Sequence, residues 1–496
     1  MGRKTYYAHL IDFVGRGTFS DKYAVNFEAV PMEPVEMFVT GELPDQMSGE
    51  GSEFLAESQF FESTWNQYVT YGPESEEFLE MKPRYLSELP AVQIMLLFED
   101  LGSACQVWEE VNDWWEIEID YDSSNPGDPV SAFSSEMPEM DTEFRVEYYG
   151  SLPGEMNETL YDLYVESGEA FQDISNSDKR ESDRISFGAI TPNTVFSKVQ
   201  VLYVGAGLCC RLVDQVGHVT GYFDMGEELP LSAGRLTRLS PAAPVLHGIK
   251  QQNINIMAQD AAAGTALTVI ISHWHYDHVR VLGRLAREYL QNGNYAAFWT
   301  NLTLICPVMV RWRGWSVTDY NSIRAVMNQI NPNGMQSLQH VPVFQTQTIN
   351  LGNNITLYKG DAGGAMAVLQ NPHNHGLAAA IRLGGMGGNW VFLPGDCSFD
   401  TLNGVAGVLD RGGIGYEYLV ATHHGGTYTH DKQSNPAVIP VPDGLMASNL
   451  IYSANGVAYG HPDPIVMAEY ANQYWNNNVA LHQLCQTGQY GWYELV

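Results

Sequence analysis

Along the first third of the chain, apolar and acidic residues alternate in short runs. Trp114 to Asp122 reads WWEIEIDYD, a period-two pattern that predicts a strand with one solvated acidic face. Thr142 to Gly150, TEFRVEYYG, has the same texture. AVQIMLLF (Ala91 to Phe98) fits a buried strand or a piece of helix. Leu160, Leu163, Tyr164 and Val165 recur at helical spacing within Met156 to Phe171, and the polar stretch from Ile174 to Arg184 is the predicted linker. From Val199 onward, short apolar strands alternate with glycine turns and helices, as in layered α/β architecture. VQVLYVGAG is a strand ending in glycines, and VTGYFDMG is a second, ending at Asp224. ALTVIISHWHYDH is a buried strand running into a histidine cluster. The helix that follows repeats Val281, Leu282, Leu285 and Leu290 and stops at Asn292-Gly293. The division expected is an acidic α+β region over 1–190 and a chemistry-bearing region over 191–496.

Charge sharpens that division. Residues 1–200 hold 40 acidic against 11 basic side chains, a net of −29, whereas the remainder nets only −4. Of the 14 histidines, only His9 precedes residue 200. The first region is therefore a solvated acidic face, or else a surface that binds a protein partner or mimics nucleic acid. An apolar share of 45% with 11% aromatics is that of a globular protein. No apolar run approaches the roughly 20 residues of a membrane span. The N-terminal stretch has no apolar block of the secretory kind, and the six cysteines lack paired spacing. A cytoplasmic protein with reduced thiols and no membrane partner is expected.

Ser272 to Val279, SHWHYDHV, concentrates the chemistry. Residues two apart at a strand end point the same way, so His273 and His275 converge on one cation. Asp277 and His278, at the helix start, turn toward a second. Imidazole with carboxylate suits zinc, with manganese or iron as alternatives.

This HxHxDH run resembles the signature of the metallo-β-lactamase fold, a family of dinuclear metallohydrolases. The resemblance implies an αββα sandwich, two packed mixed sheets flanked by helices, and further ligands from later strand ends. His373 or His375 in NPHNHGLAAAIRL would be the third histidine, His373 matching an H-x-x-G turn. Asp396 in WVFLPGDCS would be the metal-bridging aspartate. In YLVATHHGG, His423 is the better match to the last histidine ligand, His424 being open as a ligand, a proton donor or a packed neighbour. The motifs VLYVGAG…YFDMG, HNHGLAAAIRL…WVFLPGDCS, ATHHGG, AYGHPDP and LCQTGQYGW follow the order seen in the hydrolase domain of the competence protein ComEC, over Val199 to Val496. Two departures stand out: this sequence carries no membrane-spanning channel, and it has His275 where many such domains have an aspartate. Asp224 is expected to orient a histidine ligand rather than bind metal.

The function implied is hydrolysis by a metal-activated water. Asp277 and Asp396 serve the metal pair, and His424 or His461 protonates the leaving group. A nuclease or phosphodiesterase acting on a nucleotide or on short, single-stranded nucleic acid is the first expectation. A net charge of −33 speaks against long duplexes. A lactone, amide or thioester hydrolase is the second, and an acidic binding or inhibitor protein on a hydrolase scaffold the third.

Overall fold

The computed structural model describes residues 2–19, 22–32, 35, 92–109, 114–123, 130–134, 143–154, 156, 160, 189–205, 207–227, 243–307, 314–330, 338–341, 347–351, 354–359, 376–397, 399–402, 415–426, 439–443, 448–454, 461–486 and 491–496. Two compact units emerge. One comprises Met1–Val14, Asp21–Ile174 and Val310–Val317; the other comprises Gly15–Ser20, Ser175–Met309 and Thr318–Val496. The sequence-predicted linker and the body of the Met156–Phe171 segment lie outside the described residues.

The first unit is a closed antiparallel barrel of six strands: β1 (Arg3–Phe19), β2 (Lys22–Pro31), β3 (Val92–Phe98), β4 (Trp114–Asp120), β5 (Val130–Ser134) and β6 (Phe144–Ser151). They pair in the order β1-β2-β3-β5-β6-β4, and helix α1 (Leu101–Glu109) follows β3. Alternation explains the fill. In β4, Trp115, Ile117 and Ile119 are buried, while Glu116, Glu118 and Asp120 are half-buried on the other face. AVQIMLLF, ambiguous in sequence, is the strand β3, and its Ile94, Leu96 and Phe98 join the barrel core.

The second unit is a mixed α/β sandwich. Its first sheet contains β7 (Phe196–Leu202), β8 (Cys209–Asp214), β9 (Val219–Met225), β10 (Leu267–Ile270), β11 (Leu302–Pro307), β12 (Leu338–Val341) and the returning strand β20 (Trp492–Leu495). Its second contains β13 (Gln347–Leu351), β14 (Ile355–Lys359), β15 (Leu377–Arg382), β16 (Trp390–Leu393), β17 (Tyr418–Val420), β18 (Asn449–Tyr452) and β19 (Asn477–Ala480). The orders are β12-β11-β10-β9-β8-β7-β20 and β13-β14-β15-β16-β17-β18-β19. Each sheet is antiparallel in one part and parallel in the rest, from β9 through β12 and from β16 through β19. The sheets share one core, in which Val199, Leu212, Phe223 and Ile270 meet Leu357, Ala379, Val391 and Ile451. In β15, Leu377, Ala379 and Ile381 enter that core, whereas Ala378 and Ala380 face an outer cluster with Tyr470.

Helices α2 (Ala243–Ala262), α3 (Tyr276–Asn292), α4 (Gly314–Ile330), α5 (Pro464–Asn472) and α6 (Leu481–Gln486) surround the sheets. Asp260 of α2 accepts two bonds from Arg211 of β8, at 2.7 and 2.9 Å, and one from Tyr222 of β9. Helix α3 ends where the sequence indicates, with Gly293 in left-handed backbone accepting the chain reversal. Between the sheets, the Leu377 amide donates to the Ser272 carbonyl at 2.7 Å. That bond pins the start of β15 to the segment leaving β10. Among the described residues, no helix is long and apolar enough to cross a membrane.

Candidate metal centre

Parallel strands deliver chemistry at their carboxyl ends, where the chain leaves the sheet and side chains are released from ladder pairing. Here β9 ends near Asp224, β10 at Ser272 and His273, β16 at Gly395 and Asp396, β17 at Thr422 to His424, and β18 at Ser453. The N-terminus of α3 adds His275, Asp277 and His278. The turns are tightly seated. Gly395 has φ +60, and a Cβ there would lie 2.5 Å from the Ser272 Cβ, so only glycine lets β16 release Asp396 at this point. Thr422 Oγ1 donates to the Cys397 carbonyl at 2.9 Å, which ties the histidine turn to the Asp396 loop.

Two groups of ligand atoms result, each with all its atoms within 4.8 Å of one another: His273, His275 and Asp396; and Asp277, His278, Asp396 and His424. Asp396 belongs to both. Its Oδ1 lies 3.2 Å from His278 Nε2 and its Oδ2 3.7 Å from His273 Nε2. His424 Nε2 stands 2.9 Å from Asp277 Oδ2. The side chains of His273, His278, Asp396 and His424 are at most 3% exposed, whereas Asp277 is 25% exposed and marks the open side.

Hydrogen bonds behind the cluster decide which nitrogens face it. Asp224 Oδ1 accepts from the Ser272 amide at 2.6 Å, and its Oδ2 lies 2.8 Å from both Ser272 Oγ and His278 Nδ1. Ser272 Oγ is also 3.1 Å from His273 Nδ1. A buried carboxylate accepts, so His278 carries its proton on Nδ1 and turns Nε2 inward. Ser453 Oγ, 2.9 Å from His424 Nδ1, holds that ring with its Nε2 toward Asp277. Asp224 thus stands behind the histidines, outside both groups.

The electrostatics suit a cation. Burial opposes charge on His278, yet the carboxylates of Asp396, Asp277 and Asp224 outweigh it and hold its pKa well above the ordinary value. Burial likewise opposes ionised Asp396, but His278, His424 and His273 keep its pKa well below the usual carboxylate range. Burial leaves Asp224 raised in spite of His278 and Ser272. The buried His278 Nε2 makes no hydrogen bond. A donor set of imidazole nitrogens around one shared carboxylate, with such an atom aimed into it, fits a divalent cation of the zinc type.

The sequence expectations divide as follows. His273, His275, Asp277, His278 and Asp396 come together. His424, open as a ligand, a proton donor or a packed neighbour, is grouped with Asp277, His278 and Asp396. His423, expected as the ligand, lies outside both groups, its ring 5.5 Å from that of His461. Both residues of the pair are in left-handed backbone, φ 48 and 56, so the strand's period-two orientation does not carry into the turn. His461 is buried behind Gly426; burial, then His423 and His424, push its pKa well down. His373 and His375 lie outside the described residues. Sequence reasoning did not pick out Ser272 or Ser453. Ser272 immediately precedes the histidine run and was open to that inference, whereas Ser453, far along the chain, carried no local signal.

No protein-family model matches the chain, and no curated protein matches it. Among solved structures, the Zn2+-bound PqqB from Methylobacterium extorquens is similar at 12% identity and a TM-score of 0.21. The match covers 43% of this chain and 70% of that one.

Proposed function

We propose that the second unit is a metal-dependent hydrolase of metallo-β-lactamase type with two cation sites, zinc being the favoured metal. The observation that carries this reading is the Asp396 carboxylate shared between two histidine-bearing groups. His273, His275 and Asp396 hold one cation, completed by His373 or His375. Leu377, two residues beyond His375, is hydrogen-bonded to Ser272 and so starts its strand beside this group. Asp277, His278, Asp396 and His424 hold the other. Two such cations, when bound, lower the pKa of a water toward neutrality and polarise the scissile group. The chain's own part is to hold the histidine rings in place through Asp224, Ser272 and Ser453, with Nε2 of His278 turned inward and Asp277 on a more exposed side. With His424 among the ligands, His461 is the other histidine expected as a proton donor, but burial and its histidine neighbours keep it neutral near pH 7, so it fits a hydrogen-bonding partner of the leaving group rather than a general acid.

A phosphodiester in a nucleotide or a short single strand is the proposed substrate, supported by the motif order resembling the ComEC hydrolase domain. The net charge of −33 favours a lactone, amide or thioester as the second reading, because a polyanion draws on clustered lysine and arginine. Elemental analysis of the purified protein is expected to give about two transition-metal ions per chain, with turnover of a phosphodiester abolished by chelator and restored by zinc or manganese. Turnover confined to lactones, amides or thioesters selects the second reading. Protein that neither holds nor takes up metal overturns the hydrolase.

A further inference from the structure

In helix α4, Asp319, Tyr320, Ile323, Val326 and Met327 are buried. Two of these, adjacent in sequence, reach two different parts of the metal centre. Tyr320 meets Trp274 edge to face, with centroids 4.7 Å apart at 88°. Trp274 lies between His273 and His275, is 3% exposed, and donates its indole N–H to the Pro307 carbonyl at the end of β11 at 2.7 Å. The indole is thus held by β11 and α4, within the loop that carries His273 and His275.

Asp319 reaches α3 instead. Its Oδ1 accepts from the Arg287 guanidinium, while its Oδ2 is buried and makes no hydrogen bond. The carboxylate fills the space beside Gly283, where a Cβ would come within 2.0 Å of Oδ1. A mid-helix glycine weakens α3, and a fully buried carboxylate is costly to desolvate. Burial pushes the Asp319 pKa to about 6 in spite of Arg287, Arg280 and Arg284. An apolar residue opposite an alanine would pack two helices more simply. What the Gly283–Asp319–Arg287 lock adds is a single permitted register, the best-attested use of a buried polar pair. The helix held in that register begins with Asp277 and His278.

We propose that Asp319 and Tyr320 are positioning residues that set the relative placement of the two cation groups, Tyr320 through Trp274 for His273 and His275, and Asp319 through α3 for Asp277 and His278. The inference rests on the two-cation reading above.

The test uses the full chain with cobalt(II) as probe, comparing wild type with Tyr320→Leu, Asp319→Ala and Asp319→Asn. Stoichiometry, affinity by chelator competition, the visible cobalt spectrum and the melting temperature of the metal-free protein are all read. Tyr320→Leu keeps apolar bulk on α4 but loses the ring that meets Trp274. Asp319→Asn keeps an acceptor for Arg287. Tyr320→Leu and Asp319→Ala are each expected to weaken one cobalt equivalent by about 10- to 100-fold, the range for partners behind a ligand. Both should alter the cobalt band, and Asp319→Asn should recover part of the loss. Variants that melt lower but bind two cobalt ions with wild-type affinity and spectrum overturn the inference and leave the two-cation reading standing. A wild type that takes up no cobalt overturns both.

Discussion

Asp224, His423 and His424 all hold left-handed backbone, with φ between 48 and 60, and the other two such non-glycine residues among those described, Tyr295 and Tyr474, lie elsewhere. Each such residue costs roughly 1–2 kcal/mol, so the turns that present the cluster are held by their surroundings rather than by their own preference. For the histidine pair the surroundings are named contacts: Thr422 on the Cys397 carbonyl, Ser453 on His424, and His461 against His423. On the proposed reading, two adjacent, chemically identical side chains do different work. His424→Ala is expected to remove close to one metal equivalent, because it strips the group that also holds Asp277 and His278. His423→Ala should leave stoichiometry near two and act on turnover. Elemental analysis of the two variants side by side distinguishes them, and equal loss of metal from both would refute the assignment.

Much of the element scale was readable in the chain. ALTVIISH became β10 running into His273, WVFLPGDCS became β16 releasing Asp396, and the apolar repeat after the histidines became α3, stopped at Gly293. These are local patterns whose period survives folding. That His424 rather than His423 groups with Asp277, His278 and Asp396 was not readable, because two left-handed residues break the period on which the inference depended. Closure of the barrel was not readable either, since alternation in β4 specifies a buried face but not which strands cover it. Nor could spacing reveal that Gly283 of α3 makes room for Asp319 of α4. That contact has a measurable pH signature. The folded-state pKa of Asp319, about 6, lies above its ordinary value of 3.8. The folded state therefore binds this proton more tightly than the unfolded state does. The associated stability is fully present below about pH 3.8 and is lost as pH rises through about 6. At about 1.4 kcal/mol per pKa unit, the loss approaches roughly 3 kcal/mol. Urea denaturation of the metal-free protein between pH 4 and 7 is expected to show this slope in wild type and to lack it in Asp319→Asn. Parallel curves for the two proteins would refute it.

At the scale of the whole molecule, each unit has its own core, the barrel around Phe27, Leu96 and Ile117, and the sandwich around Phe223, Ile270 and Val391. The charge is divided just as sharply, with a net of −29 before residue 200. A fragment spanning residues 175–496 is expected to fold and to take up metal as the full chain does. If the acidic unit repels anionic substrates, that fragment should cleave oligonucleotides faster than the full chain at low salt. The gain should shrink as salt rises, because exposed charges are screened beyond about 10 Å at 0.1 M. Rates and salt dependence identical in the two proteins would show that the acidic unit does not act on the site electrostatically.

The pairing of β20 with β7 has a consequence for synthesis. Trp492 to Leu495 supply the outer partner of Leu202 to Val199, nearly three hundred positions earlier in the chain. As the polypeptide emerges from the ribosome, β7 can pair with β8 at once, but its other edge stays open until residues 492–495 have been made. An open strand edge is a template for pairing with another chain, and at translation rates of roughly 5–20 residues per second it would be exposed for tens of seconds. Lys198 and Gln200 lie along that edge, and in the finished fold both contact Glu494. A charged lysine there discourages premature association until the chain's own last strand arrives.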